Sequence, residues 1–274
     1  MSSTSNSILK EEVLWKEISI LRKKEENGKA EESLEELLVL YPRSPEVVHQ
    51  LLQVRFLLGK ETVENLLLRS EEFPAFLPLQ RDIVAMLLEF GESERSLEKM
   101  AQNFEVFGAL SELWTDYGVI FRHQGERDKA EICFQRSISM NNESEYSWFN
   151  WGNLYMDEGR YAEAEQLYIR ALRIDEQNIE VWVQLIYSVL ARRDFLIGLR
   201  FIEQAKRRGG EFPIFFYLQS LIFFELGNMK EAKWSIHRAL QNGNRKIFWE
   251  HLILLLESEG MDTSDAIKFL NESS

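Results

Sequence analysis

Residues 145–178 read EYSWFNWGNLYMDEGRYAEAEQLYIRALRIDEQN, and the 34 residues before them, 111–144, read SELWTDYGVIFRHQGERDKAEICFQRSISMNNES. The two stretches share a tryptophan at position four, a glycine at position eight and an alanine at position twenty. Matching residues at a fixed period of this length indicate an internal repeat. A repeat predicts that one small structural unit is stacked several times along the chain, each copy packing on its neighbours.

The same register extends in both directions from this pair of blocks. Two later blocks repeat the pattern with fewer matches, and three earlier blocks repeat it with the fewest. The later matches are Trp182, Leu185, Val189, Phe195, Gly198 and Ala205, followed by Phe216, Phe223, Gly227, Ala232, Ile236 and Ala239. We therefore divide the chain into a disordered tail, 1–10, a repeat array, 11–246, and a C-terminal capping segment, 247–274. The repeats are 11–44, 45–76, 77–110, 111–144, 145–178, 179–212 and 213–246.

Each block predicts two amphipathic helices joined by a short turn, because its apolar residues recur every three or four positions. In block 145–178, Trp148, Trp151 and Tyr155 share one face of the first helix. Gly152 and Ala164 are small, so we expect the two helices to approach closely at these residues. The turn between the helices carries a glycine suited to a left-handed backbone, and these glycines are Gly125, Gly159 and Gly227.

The tryptophans divide into two kinds by their place in the repeat. Trp114, Trp148 and Trp182 occupy the same repeat position, so we expect all three to belong to the core. Trp234 does not fall on a buried position, and we expect its ring to be exposed.

The pattern from Trp148 to Tyr155, followed by Ala164, Tyr168 and Ala171, resembles the tetratricopeptide repeat, whose consensus is W-x2-L-G-x2-Y, then A-x3-F, then P. The closing proline of that consensus is present only as Pro42 in this chain. The resemblance implies an all-α fold, a right-handed α-solenoid of about seven helix-turn-helix repeats with a C-terminal capping helix. It also implies a concave groove that binds another protein.

Composition narrows the range of partners and compartments. The 274 residues have a formal net charge of −13, and an acidic chain repels phosphate backbones and anionic lipid. We therefore expect no nucleic-acid partner and no membrane insertion. The chain has no secretory signal pattern and no long apolar run, which favours a cytoplasmic location, with an export signal removed earlier as the alternative.

The sequence contains no residue pattern that indicates a catalytic site or a metal site. The four histidines do not form an H-x3-H pair, and Cys133 is the only cysteine, so no zinc motif occurs. Cys133 lies inside a predicted helix beside Phe134, where a small packing residue is expected. No glycine-rich loop has the lysine and hydroxyl of a phosphate-binding motif. We predict that the protein is not an enzyme and needs no cofactor or metal.

In proteins that this chain resembles, the groove is lined by positions two, five, six, nine, twelve and thirteen of each first helix. The corresponding candidate residues of the last three repeats are Tyr146, Phe149, Asn150, Asn153, Met156, Val183, Gln184, Tyr187, Leu190, Tyr217, Leu221 and Phe224. Phe149 and Tyr187 are not core positions of the repeat. The amides of Asn150, Asn153 and Gln184 are suited to hold the backbone of a bound peptide, because an amide both donates and accepts hydrogen bonds.

The favoured function is an interaction scaffold that binds an apolar or amphipathic segment of a partner protein in this groove. The alternatives are a regulatory or substrate-recruiting subunit of an enzyme complex and, less favoured, an RNA-binding helical-repeat protein. Occupation of the groove by the chain itself also stays open.

The C-terminal segment Ile247–Glu257 is apolar nearly all round, so we expect it to be buried on two sides. Block 213–246 supplies one cover. The second predicted cover is a short helix in Ser264–Asn271, with Ala266, Ile267, Phe269 and Leu270 as its apolar face and Asp262 or Thr263 as its cap. This arrangement predicts a monomer, with a homodimer through the C-terminal end as the alternative.

Overall fold

Helices joined by short turns make up the fold. The computed structural model describes residues 13–22, 26–243, 246–258, 260–264 and 266–268, and no strand occurs within these ranges. The prediction of an all-α fold is confirmed. The predicted tail, 1–10, lies outside the described residues, as do Phe269, Leu270 and Asn271 of the predicted last helix.

Residues 13–22 are helical and are called α1. The helices that follow are α2 (Asn27–Leu40), α3 (Pro45–Leu57), α4 (Val63–Glu72), α5 (Leu77–Glu89), α6 (Ser93–Phe107), α7 (Ser111–His123), α8 (Arg127–Met140), α9 (Glu145–Asp157), α10 (Tyr161–Ile174), α11 (Ile179–Ala191), α12 (Phe195–Gly209), α13 (Pro213–Glu225), α14 (Met229–Asn242) and α15 (Lys246–Ser258). The chain divides into two compact units, one ending at Met140 and one beginning at Asn141.

From α5 to α14, successive helices pack as antiparallel pairs, which is the arrangement typical of a tetratricopeptide solenoid. In the first unit, α5 pairs with α6 and α7 pairs with α8. In the second unit, α9 pairs with α10, α11 with α12, and α13 with α14. Helix α15 packs on α14.

The closest helix contacts depend on glycine. A Cβ atom at Gly152 of α9 would lie 2.6 Å from Cε1 of Tyr168 in α10, well inside van der Waals contact. Gly118 and Phe134 repeat this geometry between α7 and α8, again at 2.6 Å. Ala164 is fully buried in the same helix as Tyr168. The small residues of the repeat therefore allow a large aromatic ring to lie directly against the backbone of the paired helix.

The turns inside the helix pairs use a left-handed residue, as the sequence predicts. Gly125, Gly159 and Gly227 have φ angles of 74°, 71° and 72°. Arg193 occupies the equivalent turn between α11 and α12 and has a φ of 62°. Among the described residues it is the one non-glycine residue with a positive φ, a conformation that strains an L-residue with a side chain.

The expectation that three equivalent tryptophans belong to the core holds only for Trp182. Trp182 is buried, whereas Trp114 and Trp148 are half-buried. The Nε1 atoms of Trp148 and Trp182 donate hydrogen bonds to the backbone carbonyls of Asn142 and Glu176, both at 2.9 Å. In both residues this bond ties the indole to the turn before its own helix. Trp234 is 53% exposed, as the sequence predicts.

The sequence predicts that α15 is buried on two sides, but the structure buries it fully on only one. Phe248, Leu252 and Leu255 are buried, but Ile247 and Leu254 are exposed. Beyond this helix, Oδ1 of Asp262 accepts a hydrogen bond from the backbone N–H of Ser264 at 2.9 Å, in the predicted capping position. In the part of the predicted last helix that is described, Ala266 is buried and Ile267 is exposed. One face of α15 is therefore packed, one flank is half-buried at Trp249, Ile253 and Leu256, and the other flank is exposed at Ile247 and Leu254.

Candidate partner-binding surface

The candidate residues lie on three neighbouring helices of the second unit. Helix α11 contacts both α9 and α13, so the first helices of three successive pairs lie side by side. Helix α10 packs on both α9 and α11, and helix α12 packs on both α11 and α13. These second helices therefore link the first helices to one another. Residues at equivalent positions on α9, α11 and α13 are thereby brought onto one surface. We call this the groove surface.

Most of the predicted groove residues are accessible to some degree. Tyr146 is exposed, with 41% of its surface accessible. The half-buried members are Asn153, Met156, Val183, Gln184, Tyr187, Leu190, Leu221 and Phe224. A half-buried apolar side chain is held in place by its neighbours and still presents part of its surface to solvent, which suits a preformed contact surface.

Phe149 belongs to the packed interior, contrary to the expectation that it is not a core position. Its side chain is buried, and its ring lies 5.9 Å from the ring of Tyr168 with an interplanar angle of 45°. The rings of Phe149 and Tyr168 pack together between α9 and α10 because Gly152 lets the tyrosine ring approach α9. Truncating Phe149 would open a cavity in the best-matched repeat.

Two of the candidate amides serve their own helix pair. Asn150 is buried, and its Nδ2 donates to the carbonyl of Tyr146 at 2.9 Å. Oδ1 of Asn153 accepts a hydrogen bond from the hydroxyl of Tyr168 at 2.7 Å. The third candidate amide, Gln184, is half-buried on the central helix α11.

Helix α15 covers the C-terminal end of the groove surface. The ring of Tyr217 is buried and lies 5.2 Å from Phe248 and 5.7 Å from His251. The His251 ring also lies 6.0 Å from Phe224, and its Nε2 is 3.1 Å from Oγ of Ser220. The chain thus covers Tyr217 with its own segment. Sequence reasoning missed His251, although the apolar spacing of α15 continues the pattern of the earlier first helices.

Burial changes the acid–base properties at this end of the surface. Burial, followed by the nearby Tyr187 and Glu250, raises the pKa of Tyr217 to about 12. Burial also raises the pKa of Tyr187 and lowers the pKa of His251. Both tyrosines therefore remain neutral hydrogen-bonding aromatic groups at physiological pH, and His251 favours its neutral form.

The helices of the groove surface carry negatively charged side chains and no positively charged lysine or arginine. Helices α9, α11 and α13 contain four carboxylates and no lysine or arginine. Three of these carboxylates, Asp157, Glu180 and Glu225, are exposed at the helix ends. Nη2 of Arg193 lies 3.0 Å from Oε2 of Glu225, so the charge of Glu225 is partly neutralised. The apolar centre of the surface is therefore framed by negative charge.

Reactive groups are scarce in the described structure. Cys133 is buried, and burial raises its pKa to about 11, so its thiolate form is rare at neutral pH. Among the described residues, no group of histidine, cysteine and carboxylate side chains is arranged to hold a metal ion. The described helices also include none that is long and apolar enough to cross a membrane.

The helices form antiparallel pairs, and two successive pairs repeat the same contact between a glycine and an aromatic ring. This arrangement defines a helical-repeat protein. Family models described as tetratricopeptide repeat match residues 145–178 and residues 111–144. Residues 111–178 of the chain are therefore two tetratricopeptide repeats. Proteins of this family generally mediate protein–protein interactions, and their scaffold is usually non-catalytic. No curated protein matches the chain by sequence comparison.

Solved structures share the fold at low sequence identity. A tetratricopeptide repeat protein from Parabacteroides merdae ATCC 43184 matches with a TM-score of 0.60 at 16% identity, over 90% of this chain and 99% of that chain. The Cut9–Hcn1 hetero-tetramer of the APC/C matches with a TM-score of 0.59 at 17% identity, over 90% of this chain and 49% of that chain. A thermophilic protein of this family from Thermus thermophilus matches with a TM-score of 0.57 at 21% identity, over 66% of this chain and 99% of that chain.

Proposed function

We propose that the groove surface of the second unit binds an apolar or amphipathic segment of another protein. The observation that carries this proposal is the row of half-buried apolar and aromatic side chains on three adjacent helices. Tyr187, Leu190 and Leu221 belong to this row and lie on the middle and last of these helices. Contiguous apolar surface of this kind usually marks an interaction site.

The chemistry of the partner follows from the chemistry of the surface. A segment with apolar side chains would bury Tyr187 and its neighbours, and Gln184 offers a donor and an acceptor to its backbone. The exposed carboxylates at the helix ends favour neutral or basic flanks and disfavour an acidic segment. Assembly with other chains is compatible with the fold, since the matching Cut9–Hcn1 structure is a hetero-tetramer.

Paired substitutions test the surface. Tyr146→Ala with Tyr187→Ala removes two accessible rings, one exposed and one half-buried, so we expect the fold to be retained. Truncation of an aromatic anchor commonly costs about 2 kcal/mol or more, which corresponds to a roughly thirtyfold loss of affinity. The measurement is the affinity for the partner recovered by cross-linking pulldown from native cells.

A matched control removes comparable apolar surface elsewhere in the same unit. Ile174→Ala with Leu196→Ala truncates two exposed side chains, and Ile174 is 41% exposed, as Tyr146 is. We expect the control to keep the parent affinity. Equal binding by the tyrosine variant and the parent would reject the groove surface as the binding site.

A further inference from the structure

The second unit has a basic surface that the groove surface does not use. Helices α12 and α14 carry seven lysines and arginines against two glutamates, in a chain whose net charge is −13. Helices α9, α11 and α13 carry no lysine or arginine at all. The cations of the unit are thus concentrated on second helices of the pairs, away from the residues of the groove surface.

Two pockets occur at equivalent places on this side of the unit. The first is about 450 Å³ and is lined by α10, α11 and α12, with Arg173 and Trp182 among its residues. The second is about 350 Å³ and is lined by α12, α13 and α14, with Arg207 and Phe216 at the matching repeat positions. A cationic side chain beside an aromatic ring therefore recurs one repeat further along.

The second pocket brings together cations and rings. Nζ of Lys206 lies 4.0 Å from the centroid of the Phe216 ring. The guanidinium of Arg238 lies 5.5 Å from the Phe216 ring and 5.8 Å from the Trp234 ring. The Trp234 ring stands edge-on to Phe216 at 6.3 Å and is 53% exposed. A large ring is thus exposed to solvent immediately beside two positive charges.

The positive charge of this pocket is only partly balanced by the protein. Nη2 of Arg238 lies 4.0 Å from Oε2 of Glu211, and Nζ of Lys206 donates a hydrogen bond to Oε1 of Gln219 at 2.9 Å. The Lys206 side chain is only 10% exposed, and its Nζ lies 3.9 Å from Oε1 of the solvent-exposed Glu203. Burial lowers the pKa of Lys206, which reflects the cost of holding an ammonium group out of water. Arg173 and Arg207 are exposed, and among the described residues neither has a carboxylate within ion-pair distance.

We propose that this basic surface, formed by Arg173, Lys206, Arg207, Arg238 and Trp234, binds an acidic segment of a partner protein that also carries an aromatic side chain. Carboxylates of the segment would pair with the exposed guanidinium groups and offset the charge of the half-buried ammonium. An aromatic side chain would stack on the exposed face of Trp234. The surface is separate from the groove surface, so one partner or two can be bound by the same unit.

A polypeptide fits this surface better than a nucleic acid does. Glu203 and Glu211 line the second pocket together with the cations. A phosphate backbone bound along this surface would be repelled by these two carboxylates, and the net charge of the whole chain repels it further. An acidic peptide can place its carboxylates opposite the arginines and its neutral residues opposite the glutamates.

The probe for this proposal is a fluorescein-labelled random copolymer of glutamate and tyrosine in a four-to-one ratio. Fluorescence anisotropy with the full chain should show binding that weakens as salt is raised, because the contact is largely ionic. Arg173→Glu with Arg207→Glu should weaken binding at least tenfold. These two arginines are exposed and make no ion pair within the described residues, so the fold is expected to survive. Trp234→Ala should weaken binding to the copolymer and leave binding to polyglutamate unchanged.

The control carries the same charge change in the first unit. Lys16→Glu with Arg43→Glu reverses two exposed cations there and should bind the copolymer within about twofold of the parent. No binding by the parent chain would overturn the proposal, as would an equal loss in the control variant. Tighter binding of a twenty-nucleotide oligouridine than of the copolymer would assign the surface to RNA and would equally overturn it.

Discussion

Gly152 determines how closely α9 and α10 approach. The Tyr168 ring that faces it is fully buried, and its hydroxyl is fixed by Asn153, so it cannot move aside. Gly152→Leu would force a side chain into this contact, and overpacking typically costs about 1–3 kcal/mol. We expect a correspondingly lower free energy of unfolding in urea titrations followed by circular dichroism.

The control for this substitution is Gly28→Leu. Gly28 is also helical, near the start of α2, and a Cβ atom there would meet no atom within 4 Å. This variant should be as stable as the parent or slightly more stable, because glycine is a poor helix former. A Gly152→Leu variant with the parent's stability would show that the glycine and aromatic contact does not hold the repeat together.

Arg193 strains its turn. Its φ of 62° matches the glycines at equivalent turns, but the arginine side chain makes this conformation cost about 1–2 kcal/mol. The ion pair with Glu225 is exposed and offsets about 0–1 kcal/mol at most. We expect Arg193→Gly to raise the melting temperature.

A second substitution separates the strain from the ion pair. Glu225→Gln removes the ion pair and keeps the strained backbone, so it should leave the stability unchanged or slightly lower it. If Arg193→Gly melted below Glu225→Gln, the contacts of the arginine, which include the Phe195 ring at 5.5 Å, would outweigh its strain, and the predicted stabilisation would be wrong.

At the scale of the helices, the sequence predicts pairing better than accessibility. The helix pairs within 111–178 can be predicted because some residues fit only one place in the repeat. One example is a glycine that faces an aromatic ring of the paired helix. The accessibility of groove residues depends on neighbours that the repeat pattern does not specify. Phe149 is buried because its ring meets Tyr168, and Tyr217 is buried because α15 supplies Phe248 and His251. Phe149 and Tyr217 are not consensus positions, so the repeat pattern predicts neither contact.

The C-terminal segment tests how the array ends. Trp249, Ile253 and Leu256 of α15 are half-buried, and Ala266 in the following segment is buried. Deleting residues 262–274 should expose more of α15 and cause association or precipitation, because a solenoid end without a polar cover tends to associate. Light scattering on the full and the truncated chain measures this. A full chain that is dimeric and becomes monomeric on truncation would show that the segment forms an interface and does not act as a cap.

At the scale of the whole molecule, charge separates the two proposed surfaces of the second unit. The groove surface is apolar with carboxylates at its edge, and the basic surface combines arginines with Trp234. Binding at the groove surface should therefore change little with salt, whereas binding at the basic surface should weaken as salt is raised. Salt titration of the wild-type chain with each ligand distinguishes the two sites.

Site-specific photo-crosslinking tests the central claim most directly. A photoreactive benzoylphenylalanine is introduced in place of Tyr187 on the groove surface or, in a second chain, in place of Leu196, which is 70% exposed on α12. After irradiation in native cells, mass spectrometry identifies the linked residues of the partner. We predict that the Tyr187 site links to one apolar segment of a partner protein and that the Leu196 site does not. Adducts to that segment from both sites alike, or no protein adduct from the Tyr187 site, would contradict binding in the groove.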